Sequence, residues 1–89
     1  MKRYEWNEET EDGRRYYAAI HHGGRWKFNT TLQEQYDWDD DIPHTEEILQ
    51  TLRGILWAKY QRRRTTWKIV ESVDKILKKE YGVEPPQSR

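Results

Sequence analysis

The sequence predicts an α+β fold, an antiparallel β-hairpin or three-stranded meander followed by two antiparallel α-helices packed on one sheet face. Three observations carry that expectation. The first third alternates rings with polar residues around a Gly-Gly pair, and the second half repeats apolar residues every three or four positions. In addition, twelve of the 89 residues are Trp, Tyr or Phe against fourteen Leu, Ile and Val, so rings must supply much of the core.

The hairpin comes from Arg14 to His22 and Arg25 to Thr31, which flank Gly23-Gly24, a pair that accepts the positive φ of a two-residue turn. A tight turn opposes His22 to Arg25. It places Tyr17, Ala19, His21, Trp26 and Phe28 on one face, expected to be the core, and Tyr16, Ala18, Ile20, Arg25 and Lys27 on the other. Tyr4 and Trp6 belong to a third strand that turns back through Asn7 to Gly13, where Asp12-Gly13 is the turn signal. From Leu32 to Pro43 the pattern is lost. The run Asp37-Trp38-Asp39-Asp40-Asp41 reads as an acidic loop ahead of a helix whose N-terminal partial charge favours carboxylates.

The first helix is expected to begin near Pro43 to Thr45 and to run to about Arg62. Ile48, Leu49, Leu52, Ile55, Leu56 and Tyr60 form its buried stripe, with Gly54 as a weak point or a close-contact site. The second helix carries Ile69, Val70, Val73, Ile76, Leu77 and Tyr81 on one stripe and closes at Gly82 before Pro85-Pro86. Glu71 to Lys75 and Asp74 to Lys78 read as acid-to-base pairs on its outer side. Between the helices, residues 61–66 either turn or continue one long helix. Lys59 and Arg63 would interrupt the apolar stripe of a continuous helix, so a helical hairpin is favoured, with Thr65 or Thr66 capping its second arm. The expected organisation is one domain over residues 1–83 and a flexible tail over 84–89.

Composition narrows the function. Sixteen basic and sixteen acidic residues cancel, which removes the long-range field that draws proteins to nucleic acid or anionic membranes, so electrostatic recognition has to be local. Low net charge and high aromatic content argue for a folded chain. With no cysteine there are no disulfides and no thiolate metal sites. No apolar run reaches the length of a membrane span, and none near Met1 resembles a signal peptide, so a cytoplasmic protein without membrane contact is expected.

The most suggestive constellation lies opposite the buried stripe of the first helix, where Arg53, Trp57, Tyr60 and Arg64 share one sector, with Arg62 and Lys68 close by. Cations interleaved with rings hold phosphates while stacking bases, as in single-strand binders. A solvated helix end looks the same, because cations there complement the dipole. Asp37, Asp39 and Asp41 match the first ligand positions of an EF-hand loop, but Ile42 stands where that loop needs Gly and Ile48 where it needs a bidentate Glu. His21, His22 and His44 offer imidazoles, although the adjacent pair must point to opposite sheet faces. No cysteine nucleophile, Gly-rich phosphate loop or Gly-x-Ser-x-Gly elbow is present, so neither an enzyme nor a bound cofactor or metal is expected.

The leading expectation is a non-catalytic interaction module that binds a protein partner or itself through rings in excess of what the core can bury. The alternative is nucleic-acid binding through Arg53, Trp57, Tyr60, Arg62, Arg64 and Lys68.

Overall fold

The computed structural model describes residues 1–34 and 37–85. The chain divides into two compact units, Met1–His44 and Thr45–Arg89. The first is a four-stranded antiparallel sheet, β1 (Lys2–Thr10), β2 (Gly13–His22), β3 (Arg25–Leu32) and β4 (Asp39–Ile42), in spatial order β1-β2-β3-β4. The second holds α1 (Glu46–Gln61) and α2 (Trp67–Tyr81). The α+β class is therefore as expected, with one strand more than the largest sheet anticipated.

The register of the central hairpin follows from its turn. Gly23 and Gly24 adopt φ of 60° and 76°, and His22 opposes Arg25, so Tyr17, Ala19, His21, Trp26 and Phe28 share a face. β1 adds Tyr4 opposite Ala19 and Trp6 opposite Tyr17 to that face. It extends further than expected, because Asn7 to Thr10 also pair with β2 and the turn tightens to Glu11-Asp12. The rings touch in sequence: Trp6 stacks on Tyr17 at 5.4 Å, Tyr4 meets Trp26 at 5.8 Å, and Trp26 meets Phe28 at 6.3 Å. Tyr4, Ala19 and Phe28 are buried at the centre. At the far end of the β1/β2 ladder, Arg14 donates to Glu9, and that hydrogen bond, then the charge beside it, raises the guanidinium pKa further.

β4 corrects the expected acidic loop. Its three aspartates give no apolar alternation, yet as a rim strand it needs only one partner, and two side chains of β3 secure it. Asn29 Oδ1 accepts the Asp41 N–H at 2.9 Å, and Thr31 Oγ1 donates to the Asp37 carbonyl at 3.1 Å. Ile42 pairs with Phe28 and Asp39 with Thr30, so Asp40 and Asp41 together oppose Asn29 as a bulge, with Asp41 left-handed at φ 54°. Just before β4, the Trp38 ring lies 5.4 Å from the Arg3 guanidinium of β1, on the second sheet face. Ala18 and Asn29 are buried on that second face.

In the helical unit, Thr45 caps α1 by accepting the Ile48 N–H at 3.1 Å, with Glu46 and Glu47 in the first turn. The chain then turns at residues 62–66, so the helices form a hairpin and the single long helix is ruled out. Of the two expected stripes, Leu49, Leu52, Leu56, Val70 and Val73 are fully buried and Leu77 nearly so, each worth about 1.5–3 kcal/mol, while Ile48, Ile55, Tyr60, Ile69, Ile76 and Tyr81 are half-buried. Gly82 closes α2 in the left-handed conformation, φ 67°. Among the described residues no helix is long and apolar enough to cross a membrane. Of the tail expected over residues 84–89, Glu84 and Pro85 lie outside any helix or strand, and the rest falls outside the described residues.

Candidate nucleic-acid interface

The end of α1 is closed by a chain of backbone bonds. The Arg63 N–H reaches the Tyr60 carbonyl at 2.9 Å and the Arg64 N–H reaches the Lys59 carbonyl at 2.7 Å. This double closure requires a left-handed residue at position 63, where Gly or Asn is the usual choice. The chain places Arg63 there at φ 59°, whereas it uses Gly82 for the same conformation at the end of α2. A second departure follows at once. The first turn of α2 contains Lys68 and no acidic residue, against the helix dipole, and Thr66 makes no side-chain capping bond. Arg62, Arg63, Arg64 and Lys68 are all exposed, and none has an ion-pair partner among the described residues.

Rings lie beside these cations. Tyr60 and Trp67, the last ring of α1 and the first residue of α2, meet at 5.4 Å, and Trp57 contacts both, at 5.7 Å to Tyr60 and 6.1 Å edge-on to Trp67. All three are half-buried. Trp57 therefore has part of its cover within the helical hairpin. Among the described residues the only large apolar side chain that stands exposed is Met1, while most rings, Trp6, Tyr17 and Trp26 of the sheet among them, are half-buried.

Arg53 corrects the expected membership of the basic face. It is buried, and it holds Asp74 of α2 through two parallel bonds, Nε to Oδ1 at 3.0 Å and an Nη to Oδ2 at 3.3 Å. Its guanidinium also lies 5.1 Å from the Trp57 ring. Nine residues of helix separate it from Arg62, about 13 Å. Asp74 accordingly does not pair with Lys78, which pairs instead with Glu84 at 3.7 Å, while Glu71 and Lys75 pair as expected. Of the six expected residues the structure gathers Tyr60, Arg62, Arg64 and Lys68 at the turn with Trp57 beside them, while Arg53 reaches only Trp57 and is buried against Asp74.

Arg63 and Trp67 also stand at the turn, beyond the six expected residues; from the sequence Arg63 serves only as an interruption of a continuous apolar stripe. Asp74 did carry a signal, since Val70 and Leu77 lie four residues before and three after it on the buried stripe.

Charge is divided between the units. The first 44 residues carry ten acidic and six basic side chains, and the remaining 45 carry ten basic and six acidic. The neutral chain is thus a net −4 unit followed by a net +4 unit, the second ending its helical hairpin in uncompensated cations.

The histidines of the sheet are spent on rings: His21 lies 4.8 Å from Trp26 and His44 edge-on to Phe28 at 6.1 Å, while His22 belongs to the opposite face. Among the described residues no group of three or more His, Asp or Glu is placed to hold a metal ion. An open cleft of about 480 Å³ at the β2/β3 turn mixes Ile20 and Trp26 with Arg25, Lys27 and Asp41. A smaller cavity of about 190 Å³ borders the Arg53–Asp74 pair.

Compared with known proteins, the chain matches no family model, no curated protein and no solved structure.

Proposed function

We propose that the chain is a non-catalytic, cytoplasmic binding module that holds single-stranded nucleic acid at the turn between α1 and α2. One observation carries the reading. The turn breaks two local preferences in succession, an arginine where Gly is unstrained and a lysine where the helix dipole favours an acid, and both departures supply positive charge. A strained residue in a short connection points towards a role outside stability.

Arg62, Arg63, Arg64 and Lys68 contact backbone phosphates. The half-buried edges of Tyr60 and Trp67 meet bases, which a single strand presents and a duplex hides. Recognition on this basis is independent of sequence, and affinity is set by salt. Arg53 takes no part in phosphate contact and instead fixes the two helices against each other. The net +4 charge of the helical unit supports the reading, and a cysteine-free chain suits a reducing compartment.

The test is quenching of tryptophan fluorescence by a mixed-sequence 20-nucleotide single strand at low salt, with a duplex of the same sequence and vesicles containing anionic lipid as parallel ligands. Saturable quenching, stronger for the single strand, is expected from Trp57 and Trp67. Binding to vesicles alone, or no quenching, would remove the proposal.

A further inference from the structure

The two rims of the sheet are built differently. β4 is short, bulged and acidic, three devices that discourage a further strand. β1 has none of them. It runs for nine residues in unbroken register with β2, contains no Gly or Pro, and among the described residues pairs with no other strand on its outer side. Such a rim presents a row of outward N–H and C=O groups ready to pair with another chain.

The charge order along β1 selects the occupant. The strand begins with Lys2-Arg3 and ends with Glu8-Glu9. A parallel copy would set like charges together, whereas an antiparallel copy sets the basic start of each strand against the acidic end of the other. Even-numbered residues of β1 lie on the aromatic face and odd-numbered ones on the opposite face. Directly opposed residues in an antiparallel pair share a face, so only registers that pair even with even and odd with odd continue the sheet.

One such register centres on Trp6. It sets Trp6 beside Trp6 of the second copy, Arg3 opposite Glu9 and Lys2 diagonal to Glu8, and both charge contacts occur twice by symmetry. Each chain already uses Arg3 on Glu5 and Glu9 on Arg14. Those side chains are 43–68% exposed, and exposed ion pairs exchange partners at little cost.

We propose that two copies associate about a two-fold axis by antiparallel pairing of their β1 strands, joining two four-stranded sheets into one of eight strands. The inference is independent of the nucleic-acid reading, since it involves residues of the sheet unit alone.

Sedimentation equilibrium across micromolar concentrations at low salt tests it with two charge-reversed full-length chains, E8K/E9K and K2E/R3E. The wild type should dimerise. Each variant alone should dissociate at least tenfold more readily, because its β1 carries one sign at both ends. An equimolar mixture should recover the wild-type dimer, since the two strands are again complementary. Recovery also shows that the variants fold. A wild type that stays monomeric at 100 μM, or variants that dimerise as the wild type does, would overturn the proposal.

Discussion

At the scale of single residues, the Arg53–Asp74 pair and the left-handed positions give the sharpest consequences. Removing one member of a buried ion pair strands the other charge, so Asp74→Leu should lower unfolding free energy by about 3 kcal/mol. The double variant R53L/D74L should recover most of that loss. Urea titrations of the three chains measure both effects, and a double variant as unstable as the single one would contradict the assignment. Gly54 faces open space, and a Cβ built there meets nothing within 4 Å. Gly54→Ala should therefore stabilise α1 by about 1 kcal/mol. Gly82→Ala, forced into a left-handed cap, should destabilise by about as much. Arg63→Gly separates stability from binding: relief of the left-handed strain should leave the thermal midpoint unchanged or higher, while loss of one cation weakens nucleic-acid affinity.

Among the elements, the two helices and the β2/β3 hairpin were legible because their periodicities are strong and their boundaries carry chemical signals. Thr45, Gly23-Gly24 and Gly82 each fix an end or a turn by conformational preference. β4 was not legible, because Asp39-Asp40-Asp41 has no alternation and its pairing depends on side chains of β3 that no local pattern reveals. Replacing Asn29 with Ala should release that rim, visible as faster hydrogen exchange at Asp41 than at β2 amides, and equal protection in both proteins would contradict the role given to Asn29. The candidate site was legible in part. Tyr60, Arg62, Arg64 and Lys68 cluster because they are near in sequence. The separation of Arg53 depends on a partner 21 residues away, and that contact exists only once the turn has set the pairing of α1 with α2.

For the whole molecule, zero net charge conceals a division into acidic and basic units, so overall composition understates the local field at the helical turn. The claim that this turn binds nucleic acid rests on four exposed cations, and counterion release converts their number into a slope. The decisive measurement is the dependence of the single-strand association constant on salt, for the wild type and for R62Q/R64Q. Four phosphate contacts predict a log–log slope of about −3, and two predict about −1.4. A wild-type slope shallower than about −1, or an identical slope for the variant, would contradict binding through Arg62, Arg63, Arg64 and Lys68.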